Sequence, residues 1–478
     1  MNRSISRLYW VLAGGFVLLT LGLGYWQVIH ATALNNRAGN PQTTQRTLLI
    51  ARGAIVAADG TPLAVSPGTN QNGQIVYQRT YPQGTLAPQT IGYANVTQGM
   101  TGLEQSQNSS LTGDYGAESL LVRLGLRAKR GASVHTTLVP AAQAVANKML
   151  AGQSGAVVAL DPRTGAVLVM ASAPNFDLGQ VANNFSSILR VHGGPLVNRA
   201  VQKGYPPGST FKVVTATAAL ASGLYTPQSM FDDTGTVMAS GLPLHNFANE
   251  KFGPNSLTLA LTRSINTTFA KIGLALGAQR LGAMMTAFGV GRAPSVDLPP
   301  GMVVPSGRIG KGNSILANNQ PGEDTARIAI GQEQLLVTPL QNAMVAAGIA
   351  NQGAIMTPYL VQSVVDSHGS IVFTHHPTTY SQATSPAIAA QVTAMMRDVV
   401  QEGTGTAAAL AGIDVAGKTG TAETSSGGLS DAWFIGFAPS QAPTVAVAVV
   451  IENSSSQGGI VAAPIARAVM QSIISRSH

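Results

Sequence analysis

The 478-residue chain has no cysteine, which removes disulfides, thiolate nucleophiles and cysteine-ligated metals together. Histidine is scarce, with 8 in the chain, and none falls in an HExxH or HxxxH spacing, so neither a zinc site nor another cofactor is expected. Charged residues make up only 10% and aromatics 5%, which leaves a neutral-polar surface. The net charge of +8 comes mostly from scattered arginines. No basic stripe with interleaved aromatics is present, so no nucleic-acid partner is expected. A scattered positive excess instead suits work beside an anionic membrane or wall polymer.

What is present starts with size, since 45% hydrophobic content over this length supports more than one packed domain. From Leu8 to Ile29 the chain reads LYWVLAGGFVLLTLGLGYWQVI, uncharged and close to the ~20 residues a membrane-spanning helix needs. Arg3 and Arg7 precede it, and Tyr9, Trp10, Tyr25 and Trp26 sit near its ends, where amphipathic rings favour the interface. Residues 1–7 then form a cytoplasmic tail and 8–29 a signal-anchor helix, with the rest of this single-pass plasma-membrane protein outside. The A-x-A look of Ala31-Thr32-Ala33 keeps a cleaved secretory signal as the alternative, although the run exceeds the usual apolar core of ~7–15 residues.

Residues 30–46, rich in Asn, Gln, Thr and Gly, read as a linker. Residues 47–150 have short, Gly-punctuated segments, with a hairpin signal at Asp59-Gly60, and suggest a small α+β pedestal. In residues 151–478, GAVVALDPRTGAVLVMAS predicts two adjacent antiparallel strands, and Ser209 to about Ala350 is largely helical. VAGKTGTAE, AWFIGFAP and TVAVAVVIEN then read as strands before a terminal helix. The fold class is α/β: one antiparallel sheet assembled from both ends of the region, helices on its faces, and a helical subdomain between.

Three motifs can carry chemistry. In YPPGSTFKVVTA a turn stops at Gly208 and a helix starts at or beside Ser209, so Lys212, three residues on, shares its face. A serine hydroxyl is unreactive until a neighbour takes its proton, and a lysine can do so only when burial or another cation lowers its pKa. Alone, the pattern is equally an N-cap serine near a surface lysine. Ser264-Ile265-Asn266 places a hydroxyl and a carboxamide at a break between helical stretches. Lys418-Thr419-Gly420-Thr421 lies on a late strand, where glycine marks close approach of another backbone and Lys418 is a candidate second cation.

S-x-x-K, S-x-N and K-T-G in this order form the set of penicillin-binding proteins and class A β-lactamases. With NRA before YPPGSTFK, IGQEQLLVTPLQNAMVAAGIANQG, GTGTAAAL and AWFIGFAP, the chain resembles the class B penicillin-binding proteins, septum-associated members especially. The stretches RGAIVAADGTPLA, RTYPQGTLAPQTIGY and GLEQSQNSSLTG resemble that class's pedestal. The pedestal is short, and Asp59-Gly60 stands where an Arg/Asn-Gly pair is usual. The resemblance implies a transpeptidase fold and an enzyme that cross-links peptidoglycan stem peptides, is acylated by β-lactams, and works with septal or elongation proteins including a polytopic glycosyltransferase. It implies Ser209 as nucleophile, Lys212 as acylation base, and Ser264 with Lys418 as proton relay. Asn266 would hold the substrate amide, and Thr419, Gly420 and Thr421 would receive the terminal carboxylate. A D,D-carboxypeptidase and a non-turnover β-lactam sensor or septal scaffold remain as alternatives. The interval before residue 155 is too short for a glycosyltransferase domain.

Overall fold

The structure, a computed structural model, describes residues 3–29, 50–114, 130–320, 322–423 and 428–475. The expected linker over 30–46 lies outside them. Helix Arg3–Gly24 continues through a π turn, Tyr25–Ile29, and its large apolar side chains are exposed. It is long and apolar enough to cross a membrane. The chain is already helical at Arg3, the first described residue, because nothing between it and Leu8 stops a helix.

The large domain is organised by five strands. In sheet order these are Ala416–Glu423 at an edge, Ser430–Ala438, Val445–Ser454, Gly155–Leu160 and Val167–Ala173, and every pairing is antiparallel. Successive side chains point to opposite faces, and here the two faces feed different cores. Ala156, Val158, Trp433, Ile435, Ala448 and Val450 join one cluster, while Val157, Ala159, Phe434, Val447 and Val449 join the other. Helices Pro140–Met149 and Gly458–Ile474 pack on the second face, and Pro339–Ala350 covers the first. Burial on both sides is why these strands read as continuous apolar runs rather than alternating ones.

Helices Lys212–Ala221, Leu257–Thr262, Asn266–Ala287 and Pro386–Gln401 form the helical part between the strands. The largely helical expectation for Ser209 to Ala350 missed three β-pairs: the two-residue strands Gly307–Arg308 and Leu335–Leu336, Met230–Asp233 with Gly253–Ser256, and Thr236–Ala239 with Leu242–His245. The first pair is too short to show a period, and the strands of the other two are short and largely exposed, so no apolar alternation marks them in the sequence.

The pedestal is built on a second five-stranded sheet, ordered Ile371–Thr374, Val361–Val365, Ser133–Thr136, Ile55–Val56, Pro62–Ala64. The Asp59-Gly60 hairpin joins its last two strands: Asp59 Oδ1 accepts from the Thr61 N–H at 3.0 Å and Gly60 takes φ 83°. Two of its strands come from far downstream, so the pedestal is not the contiguous 47–150 unit expected. Helix Pro140–Met149 belongs to the large domain, where it packs on Gly458–Ile474 and Val167–Ala173. Its Ala142 and Ala146, with the C-capping Leu150, complete a core that no local pattern reveals.

Candidate active site

Ser209 sits in a 3-10 turn, Gly208–Phe211, that runs directly into helix Lys212–Ala221. Gly208 has φ 51°, and a Cβ there would lie 3.0 Å from the Thr421 carbonyl oxygen, so the turn needs glycine twice over. The Trp433 indole donates to the Pro206 carbonyl at 2.9 Å and the Gly208 N–H to the Gly331 carbonyl at 3.1 Å. The serine is half-buried and faces a cleft.

Ser264 lies between two helices. Its N–H donates to the Leu261 carbonyl and that of Ile265 to the Ala260 carbonyl, the paired bonds of a Schellman ending, with Ser264 in the left-handed region at φ 60°. A non-glycine there is uncommon, and strain of this kind gathers at functional sites. Helix Asn266–Ala287 starts two residues later, so the hydroxyl and the carboxamide flank one sharp turn.

The third part is the edge strand Ala416–Glu423. A Cβ on Gly420 would meet the Pro207 carbonyl oxygen and Thr210 Cγ2, each at 2.9 Å. This glycine lets the strand press against the Ser209 turn. Lys418 Nζ donates to Ser264 Oγ and to the Thr419 carbonyl, both at 2.9 Å. From the other side Lys212 Nζ donates to the Ser264 carbonyl and to Asn266 Oδ1, both at 2.7 Å, with Ser264 Oγ at 3.3 Å. Ser264 therefore bridges two lysines from distant parts of the chain.

Both lysine side chains are fully buried, and no salt bridge to either occurs among the described residues. Burial, then the Lys418 charge, holds Lys212 well below the usual lysine range; burial pushes Lys418 down to about 7. A neutral Lys212 has two N–H groups and a lone pair. The two 2.7 Å acceptors use both hydrogens and leave the lone pair for a hydroxyl proton.

A cleft of ≈ 1260 Å³ has Ser209, Ser264, Asn266, Thr419, Gly420 and Thr421 on its walls. Asn266 Nδ2 donates to the His245 carbonyl at 3.1 Å, and Thr419 Oγ1 lies 2.5 Å from Thr404 Oγ1. Among the described residues no group of acids and histidines could hold a metal.

The Penicillin binding protein transpeptidase domain matches residues 155–471, about two thirds of the chain. The chain belongs to the penicillin-binding protein transpeptidase family. The Penicillin binding protein A dimerisation domain matches residues 52–134. The chain is 35% identical to the peptidoglycan D,D-transpeptidase PbpA of Mycolicibacterium smegmatis, over 98% of each. Penicillin-binding protein A of Mycobacterium tuberculosis, solved as an imipenem acyl-enzyme complex, is similar with a TM-score of 0.80 and 32% identity over 90% of this chain and 99% of that one. The D,D-transpeptidase domain of a peptidoglycan glycosyltransferase from Eggerthella lenta superposes with a TM-score of 0.78 at 35% identity, covering 89% and 98%.

In this penicillin-binding protein the geometry adds residues that the motifs did not single out. Thr404 meets Thr419 across the cleft wall. Glu452 accepts from Tyr205 Oη at 2.6 Å, Arg199 Nε at 2.7 Å and Lys203 Nζ at 2.9 Å. It thereby ties the segment before Ser209 to the sheet. A lone acid ending the apolar strand VAVAVVIEN was the only signal for it.

Proposed function

We propose that this penicillin-binding protein is a membrane-anchored peptidoglycan D,D-transpeptidase with Ser209 as its acyl-forming nucleophile. The observation that carries the reading is the pair of buried, unneutralised lysines meeting at Ser264, one of them a helical turn from Ser209. Lys212 takes the Ser209 hydroxyl proton as Oγ attacks the carbonyl carbon of the penultimate D-Ala of a stem peptide. The Ser209 and Thr421 N–H groups receive the oxyanion, each worth about 3 kcal/mol; Thr421 lies on an edge strand that passes Gly208.

Collapse of the tetrahedral species breaks the C–N bond. Ser264 Oγ, fed by Lys418, passes a proton to the departing D-Ala amine. Asn266 holds the substrate amide, and Thr419 and Thr421 hold the terminal carboxylate at Gly420. The amine of a neighbouring stem then attacks the acyl-enzyme, forms a 4→3 or similar cross-link and frees Ser209. A β-lactam follows the first half of this path, but its leaving nitrogen stays tethered.

The apolar N-terminal helix, with Arg3 and Arg7 in its first turns, supports an extracytoplasmic catalytic domain by the positive-inside bias. Work beside septal or elongation proteins, a polytopic glycosyltransferase among them, rests on family resemblance. The purified protein should release leaving group continuously from a thioester stem-peptide analogue. One stoichiometric burst without turnover would replace the enzyme with a β-lactam sensor, and turnover with water alone as acceptor would make it a carboxypeptidase.

A further inference from the structure

Asp233 is 2% exposed, and no salt bridge to it occurs among the described residues. Four donors converge on its carboxylate. Oδ1 accepts from the Gly235 N–H at 2.9 Å and from the Thr267 hydroxyl; Oδ2 accepts from Asn246 Nδ2 and the Phe252 N–H, both at 2.8 Å. The Thr267 N–H in turn donates to Asn246 Oδ1 at 3.0 Å, which closes a buried ring of Asp233, Asn246 and Thr267. Burial pushes the Asp233 carboxyl up, and the four bonds overrule it and hold it below its ordinary value.

The ring lies one residue from the proposed catalytic cluster on two segments of the chain at once. Thr267 follows Asn266 in the first turn of its helix, and Asn246 follows His245, whose carbonyl accepts from the Asn266 carboxamide. The carboxamide's other end faces Lys212. We propose that Asp233 is a positioning residue for acylation: it locks the cleft wall at His245 to the start of the Asn266 helix and so fixes which way the Asn266 carboxamide points. This rests on the roles given above to Ser209 and Asn266.

An isosteric amide cannot replace Asp233, because all four partners are donors. Whichever way Asn is turned, its NH₂ meets the backbone N–H of Gly235 or Phe252, and neither can reverse. The test is a double-mutant cycle on the full-length protein, read as the rate of labelling by a fluorescent penicillin. Asp233→Asn and Asn266→Ala should each slow labelling by about 100-fold, while the double variant is no slower than Asn266→Ala alone. Thr267→Val removes one arm of the ring and serves if Asp233→Asn does not fold. It should slow labelling, Thr267→Ser should restore it, and Asp232→Asn, next door and exposed, should leave it unchanged.

Additive losses in the cycle, or a Thr267→Val variant that labels at the wild-type rate, would overturn the proposal. Covalent labelling of Ser209→Ala would instead overturn the reading on which it rests, so the two failures are distinguishable.

Discussion

Two of the groups of charges buried among the described residues are treated in opposite ways. In the pedestal, Glu104 has a fully buried side chain between Arg52 Nε at 2.7 Å and Arg79 Nε at 2.5 Å. Arg52 also donates to Asn108 Oδ1 and the Glu104 carbonyl, and Arg79 to the Gly53 carbonyl. In the catalytic domain, Lys212 and Lys418 are equally buried, and their hydrogen bonds among the described residues go to hydroxyl, carbonyl and amide oxygens. Opposite charges brought together hold a region in place, because removing one strands the other. Two buried cations without a counter-charge cannot both stay protonated: burial lowers both, the Lys418 charge lowers Lys212 further, and the result is an amine able to act as a base.

The difference can be broken from either side. The largest effect belongs to the proposed nucleophile: Ser209→Ala should abolish covalent labelling by a fluorescent penicillin and leave circular dichroism and melting temperature unchanged. Any remaining covalent adduct would remove Ser209 from its role. Lys212→Ala should slow acylation by about 10²–10⁴-fold, measured by stopped-flow with the same probe.

Glu104→Ala should act the other way and cost about 3–5 kcal/mol of stability in denaturant unfolding, since it leaves two buried arginines unpaired. The fraction that stays folded should still label at the wild-type rate. Slow labelling of that fraction would show that the two charge groups are not independent.

The smallest effect is in pH dependence. Wild-type acylation should fall as pH increases through about 7, where Lys418 loses the proton that it feeds through Ser264 to the leaving amine. Folding depresses both lysine pKa values, so between about pH 7 and ~10.4 the unfolded chain holds a proton that the folded Lys418 has shed. Stability therefore rises with pH across that window. Lys418→Met should melt higher than wild type at pH 7, with the gap narrowing towards pH 10, and should acylate slowly throughout. A gap that widened with pH would contradict the sign of the shift.

Parts of this were readable before any coordinates. The Ser209–Lys212 spacing needs only one turn of helix, and Gly420 was expected to mark a close approach, which the Pro207 carbonyl and Thr210 make. The five strands of the catalytic sheet were visible in the sequence, three of them as Val- and Ala-rich runs. The exposed β-pairs between Met230 and Ser256 were not, because a strand that buries little leaves no periodicity. The Asp233 ring was hidden within them: Asp233, Asn246 and Thr267 look like ordinary loop and helix polar residues until the fold closes around them.

Sequence by itself determined the chemical types available and their local spacing: no thiol, no metal set, one long apolar helix, and a serine with a lysine on its face. These follow from composition and from dihedral periodicities that neighbouring residues impose. Only the tertiary structure decided that Lys418 should meet Lys212 at Ser264 and that Ser264 should take a left-handed conformation. It also drew Val361–Thr374 back into the pedestal sheet. Each of these joins residues far apart in the chain, and is set by which buried faces and polar groups can be satisfied together, a property of the whole packed molecule.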